Sequence, residues 1–113
     1  MKVKVDLRKL EIVEKEIDVL SEQNGVTRQG LPSYDCQNIT GKLYFDKVEF
    51  NNLVAEEVKN QAFDKGIYYD IDIQFFTKVK AVCNHELTWE VDVFGEPKED
   101  DNENMYFENF EII

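Results

Sequence analysis

Apolar and polar residues alternate most clearly in the middle of the chain, over residues 67–83. Most odd-numbered positions there are branched or aromatic, and most even-numbered positions are polar. A period of two is typical of a strand with one buried face, so the pattern predicts a single long strand. At about 3.3 Å per residue it would be about 56 Å long, which exceeds the width of a compact domain of this size. The sheet is therefore predicted to be strongly curled.

The following segment, residues 87–94, again places its apolar side chains at odd positions. A three-residue loop over 84–86 brings both apolar sets onto one face, whereas a two-residue turn would move Leu87 to the opposite face. The sequence therefore predicts a 67–83/87–94 antiparallel hairpin. On its outer face this register pairs opposite charges, Lys80 with Glu90 and Lys78 with Asp92.

Two segments repeat their apolar residues at helical spacing. Residues 7–23 have them at steps of three and four, Asp6 can cap the start, and Asn24-Gly25 can end the run. A strand is the alternative for this segment, because several of its branched residues share one parity. Residues 53–64 predict a second, shorter helix.

The remaining segments predict connections and further strands. Residues 24–38 are rich in turn formers and predict a long loop, and residues 39–50 predict a strand. Residues 96–104 are acidic and almost free of apolar side chains, which predicts an exposed loop. Residues 105–113 are apolar again and predict a last strand.

Together these elements predict one α+β domain over residues 1–113. Its centre is a strongly curled antiparallel sheet around the long 67–83/87–94 hairpin, with helices at 7–23 and 53–64 packed on it. A mostly β, barrel-like domain is the alternative.

Acidic residues outnumber basic ones by 24 to 13, which gives a formal net charge of −11 and a sequence pI near 4.4. The surplus is concentrated at the end of the chain. Residues 84–113 contain ten acidic residues, and Lys98 is their only lysine or arginine. A negative surface repels a phosphate backbone, so the charge argues against nucleic-acid binding and favours a cationic partner.

Few residues suggest catalysis. Asp70 and Asp72 share one face of the predicted strand and could ligate a hard cation, but an exposed polar face commonly alternates in this way. Cys83 is two residues from His85, yet the hairpin turns the thiol inward and leaves the histidine in the loop. The chain has no glycine-rich phosphate loop, nucleophile elbow or zinc-ligand spacing. We predict no enzymatic activity, no cofactor and no metal site.

No apolar run approaches the ~20 residues that cross a bilayer, and the first residues lack the apolar core of a secretion signal. Cys36 and Cys83 are the only cysteines, too few for a secreted fold that disulfides stabilise, so free thiols are expected. We therefore expect a cytoplasmic protein without a membrane partner.

The charge distribution predicts a small acidic binding protein that sequesters or inhibits a basic protein partner, with a field like that of a nucleic acid. Immunity proteins of toxin systems and phage-encoded nuclease inhibitors are also small, acidic and mixed α/β, which is an analogy of class only. The predicted partner-binding residues are Glu90, Asp92, Glu96, Glu99, Asp100, Asp101 and Glu103.

Two alternatives stay open. One is a single-stranded nucleic-acid-binding barrel with an acidic C-terminal segment, in which aromatic side chains such as Tyr68 and Phe76 on the outer face would stack on bases. The other is a domain without such a partner, in which the acidic residues only confer solubility.

Overall fold

The computed structural model describes residues 1–113 and contains eight strands, one α-helix and two short 3-10 helices. The strands are β1 (Lys2–Asp6), β2 (Ile12–Val26), β3 (Pro32–Asp46), β4 (Asp72–Val82), β5 (Thr88–Phe94), β6 (Lys98–Glu99), β7 (Asn104–Phe107) and β8 (Asn109–Ile112). The helix α1 spans Lys47–Gln61, and the 3-10 helices span Leu7–Lys9 and Phe63–Lys65. No helix has the length and apolar character needed to cross a membrane.

The strands form two four-stranded sheets that share one core. The first sheet has the order β1-β4-β5-β8, and β1 runs parallel to β4 while the other pairs are antiparallel. The second has the order β2-β3-β7-β6 and is antiparallel throughout. Both sheets and α1 contribute buried side chains to a single apolar cluster. The α+β class is thus confirmed, but no barrel closes and the strong curl is not confirmed.

The predicted hairpin register is confirmed at every pair from Thr77↔Val93 to Val82↔Thr88. Residues 84–86 form the loop, and the strands are shorter than predicted because β4 begins at Asp72. The preceding residues turn rather than extend. Asp70 has φ 56°, a left-handed conformation that ends the alternation as a regular strand.

The predicted helix over residues 7–23 is wrong. Only Leu7–Lys9 form a helical turn, and Ile12–Val26 form β2, paired along its length with β3. Beyond Leu7, the helical stripe is not fully buried: Val13 is 53% and Leu20 is 54% exposed. Val19 and Ser21, which share a strand parity, are 4% and 2% exposed. Long-range pairing with β3 therefore outweighs the local helical spacing.

The predicted loop over residues 24–38 is also wrong. β2 continues to Val26, a turn follows in which Thr27 donates to the Leu31 carbonyl, and β3 starts at Pro32. Residues 22–37, called the arm below, are exposed or half-buried. The arm makes the molecule 59 Å long, with a radius of gyration of 17.5 Å, against about 13 Å for a compact chain of this size.

The helix α1 begins at Lys47, so the predicted start at 53 is wrong and the strand predicted over 39–50 ends at Asp46. Asp46 is the N-cap because its carboxylate accepts the backbone N–H of Glu49 at 3.0 Å. The helix ends at Gln61, slightly before the predicted end at 64.

The predicted strand over residues 105–113 is two strands that belong to different sheets. β7 pairs with β3 and β6, and β8 pairs with β5. One residue, Glu108, separates them, so the chain crosses from one sheet to the other at this point. The parallel strand β1 was not predicted.

Gly41 is the glycine whose replacement should most disturb the β2–β3 hairpin. Its φ is 129°, and an added Cβ would lie 1.7 Å from the backbone oxygen of Glu16. We expect Gly41→Ala to lower the free energy of unfolding by about 3 kcal/mol in urea denaturation. The control, Gly25→Ala, has φ 75° and open space around the added atom, so only the conformational cost of about 1 kcal/mol applies. Equal losses in the two variants would contradict this account.

Candidate functional site

The predicted partner-binding residues fall into two groups on different sheets. Glu90 and Asp92 lie on the outer face of β5, in register with Lys80 and Lys78 of β4. The other five belong to the acidic segment, defined here as residues 96–103, which includes β6. The structure therefore does not bring all seven onto one strand face.

The acidic segment is a short hairpin rather than a loop without secondary structure. β6 pairs with β7, and the turn between them is held by Asp100. Its carboxylate accepts the backbone N–H groups of Asn102 and Asn104 at 2.9 Å each, and its own N–H donates to the Asn104 carbonyl. The Asn104 N–H contributes most to holding the pKa of Asp100 below its usual value. Asp100 therefore stabilises the turn.

The start of α1 anchors the acidic segment. The Lys47 ammonium forms an ion pair with Glu99 at 3.1 Å, and the Lys47 backbone N–H donates to the Glu103 carbonyl at 3.1 Å. Lys98 forms a second ion pair with Glu108. These contacts fix the segment against the body of the protein and neutralise Glu99 and Glu108.

The other acidic residues of positions 84–113 have no ion pair within the chain. Within the acidic segment these are Glu96, Asp100, Asp101 and Glu103; Asp100 is half-buried in the turn, and the other three are exposed. The acidic segment therefore has a fixed backbone and three exposed carboxylates that form no ion pair within the chain.

Glu96 also lines an open cleft of about 770 Å³ between the start of β4 and the end of β5. Asp72 contributes a second carboxylate, and Phe94 and Pro97 contribute apolar surface. Lys2 is the one basic residue in the lining. The cleft thus combines negative charge with an apolar wall.

Asp70 and Asp72 have different neighbours at the start of the chain. The Asp70 carbonyl accepts the N-terminal amino group at 2.6 Å, and Asp72 is in register with Lys2 of β1. No group of three or more His, Cys, Asp or Glu side chains has the geometry to hold a metal ion.

Ser21 of β2 contacts both Cys83 and His85, so the structure links two residues that the sequence predicts to lie apart. The Ser21 hydroxyl is 3.2 Å from Cys83 Sγ and 2.8 Å from His85 Nδ1, and the His85 backbone N–H donates to Sγ at 3.4 Å. Sequence reasoning missed Ser21 because it placed this segment in a helix. The sequence does contain a signal for this position: Ser21 is two residues from Val19, so in a strand both side chains lie on the same face.

Tyr68 and Phe76 do not form a joint stacking platform. Tyr68 lies outside β4 and stacks on Phe63 with ring centroids 5.5 Å apart. Phe76 lies in β4, and the Arg8 guanidinium lies 5.8 Å from the centre of its ring. Each aromatic ring therefore has its own partner within the chain.

Asp100→Asn tests the role of the charged carboxylate in the turn. Because the pKa is lowered in the folded state, the charge stabilises the fold fully above the unfolded pKa of about 4, and this contribution is lost as the pH falls through the folded pKa. We expect the variant to have a lower Tm than the wild type at pH 7, and the difference between the two Tm values to become smaller in acid. Asp101→Asn is the control, because Asp101 accepts neither of these N–H groups. A Tm difference that does not depend on pH would contradict the role of the Asp100 charge in the turn.

Comparisons of the chain with models of known protein families, with curated protein sequences and with solved structures find no match.

Proposed function

We propose that the protein is a small binding protein that sequesters or inhibits a basic protein partner through the acidic segment. The observation that supports this most directly is the set of exposed carboxylates, Glu96, Asp101 and Glu103, which have no cationic partner in the chain. Glu90 and Asp92 add to the negative field, although each lies opposite a lysine. The proposal includes a cytoplasmic location, where free thiols such as Cys36 and Cys83 are usual.

The rigidity of the acidic segment favours binding. A disordered acidic tail loses conformational entropy when it binds, and this loss lowers its affinity. Here the turn bonds of Asp100 and the contacts of Lys47 already fix the backbone. Carboxylates arranged in this way raise the rate of encounter with a positive surface, and the effect weakens as salt screens it.

The cleft next to Glu96 suits the side chains that a basic partner would present. Lysine and arginine have an apolar stem and a charged head. The wall formed by Phe94 and Pro97 can contact the stem, while Glu96 and Asp72 attract the head. Arginine fits best because its planar guanidinium also packs on aromatic rings.

A charge-neutral variant of the acidic segment tests the proposal. In Glu96→Gln, Asp101→Asn, Glu103→Gln the three exposed carboxylates become amides, while Asp100 and Glu99 keep their structural bonds. We expect the wild type to recover a specific basic protein from a native lysate at ~50 mM salt, and the variant to bind that purified protein about tenfold more weakly. Calorimetric titration would measure both affinities.

The matched control removes the same number of charges elsewhere, as Glu11→Gln, Glu22→Gln, Glu56→Gln, three exposed acids outside the acidic segment. It should bind like the wild type. If no basic protein is recovered, the partner proposal fails. If both variants weaken binding equally, net charge rather than the acidic segment is responsible.

A further inference from the structure

The hairpin loop between β4 and β5 contacts the edge of β2, and this contact encloses Cys83. Cys83 forms a parallel bridge with Val19, and the Asn84 side chain bonds both the N–H and the carbonyl of Ser21, at 2.8 and 3.2 Å. Tyr34 of the arm packs on the His85 ring with centroids 4.5 Å apart. We call Val19, Ser21, Cys83, Asn84 and His85 the junction. It leaves only 6% of Cys83 exposed.

Two hydrogen-bond donors contact the sulfur. The Ser21 hydroxyl and the His85 backbone N–H both reach Sγ. The Trp89 indole N–H is also buried and has no hydrogen-bond partner in the chain. Trp89 and Cys83 lie on the same face of the hairpin. The register partner of Trp89 is Ala81, which is two residues from Cys83 and therefore shares its face. A buried donor without an acceptor is costly, and a thiolate at Cys83 would supply the acceptor.

The Ser21 hydroxyl has one hydrogen but three acceptor positions near it. They are Cys83 Sγ at 3.2 Å, Asn84 Oδ1 at 3.1 Å and His85 Nδ1 at 2.8 Å. An ionised sulfur attracts that hydrogen most strongly. His85, as the tautomer with hydrogen on Nδ1, can then donate to the Ser21 oxygen. The loop also contains Glu86 and the arm Asp35, but the titratable side chains with a contact to the junction are His85 and Tyr34, and no carboxylate forms a bond with Sγ.

Burial raises the pKa of the Cys83 thiol, but neighbouring donors, among them the Ser21 hydroxyl and the His85 N–H, together lower it to about 7. An ordinary thiol has a pKa of about 8.5. The thiolate, which is the nucleophilic form, is therefore more populated at neutral pH than in an ordinary thiol.

We propose that Cys83 is an oxidation site for small hydroperoxides, with Ser21 and His85 as positioning residues. The Cys83 sulfur attacks one peroxide oxygen, an S–O bond forms and the O–O bond breaks. Sulfur is oxidised by two electrons to sulfenic acid. The leaving group is hydroxide from hydrogen peroxide, or alkoxide from an alkyl hydroperoxide, and it takes a proton from solvent to become water or an alcohol. The small exposed fraction of Cys83 favours small reactants over bulky ones. This inference does not depend on the proposed partner.

The second cysteine does not complete a disulfide in this fold. Cys36 is the register partner of Ser21, so the two thiols lie on opposite sides of β2. Two strand spacings separate them by about 10 Å, beyond the reach of a disulfide. Sulfenic acid at Cys83 is therefore not resolved by Cys36 while the junction is intact, and Cys36 can serve as an internal control.

Treatment of the wild type with hydrogen peroxide at pH 7, followed by trapping with a sulfenic-acid reagent and mass spectrometry, tests the proposal. We expect Cys83 to gain one oxygen before Cys36 does, although Cys36 is the more exposed of the two. If exposure alone governs reactivity, Cys36 reacts first and the proposal is overturned. The same holds if Cys83 reacts only after denaturation.

A second measurement separates activation by the junction from simple access. In the folded Cys36→Ser variant, the rate at which iodoacetamide alkylates Cys83 should rise with pH around a midpoint near 7. In denaturant the midpoint should lie above pH ~8. Adding Ser21→Ala should slow alkylation at pH 6.5 about tenfold. Trp89→Phe keeps an aromatic side chain and removes the N–H, so it tests the other neighbouring donor if Ser21→Ala does not fold. Midpoints that neither substitution moves would refute the roles of these donors.

Discussion

The packing of aromatic side chains around Phe107 joins the two sheets and the helix. Phe107 comes from β7 and contacts Phe45 of β3, Phe50 of α1 and Phe75 of β4, with ring centroids 5.6 to 6.1 Å apart. Edge-on and tilted ring pairs of this kind contribute about 0.5–1.5 kcal/mol each beyond the area they bury. Phe107 is fully buried, and the chain crosses between the sheets directly after it. The position of the acidic segment follows, because β7 pairs with β6.

Sequence patterns predicted those parts of the fold in which independent signals agree. In the β4–β5 hairpin, alternation, loop length and the Lys80–Glu90 charge pair all require one register, and the structure has it. In β2 the signals conflict, since Leu10, Val13 and Leu20 fit a helix while Ile17 and Val19 fit a strand. Pairing with β3 decides the outcome. The first half of β3 is rich in turn-forming residues, so the sequence does not predict it as a strand. Local spacing contains no information about that pairing.

The candidate sites divide in the same way. Composition alone indicates the acidic segment, but the internal roles of Glu99 and Asp100 depend on where α1 begins and on the turn before β7. The junction depends on contact between residues more than sixty positions apart, such as Ser21 and Cys83. β3 separates the two regions: its Asp46 end meets β7, and Cys36 lies near the junction. That distance is about 30 Å along the strand, so the two chemistries are spatially independent.

The arm has a further consequence for motion within the native state. Beyond Tyr34, residues 24–33 contribute nothing to the apolar cluster and are held by strand pairing and a turn. Their amide hydrogens can therefore exchange with solvent through local fraying, which leaves the core intact. Fraying that starts at the turn meets its first side-chain packing where Tyr34 covers His85. Oxidation of Cys83, which lies next to that contact, would therefore change how many residues of the arm fray.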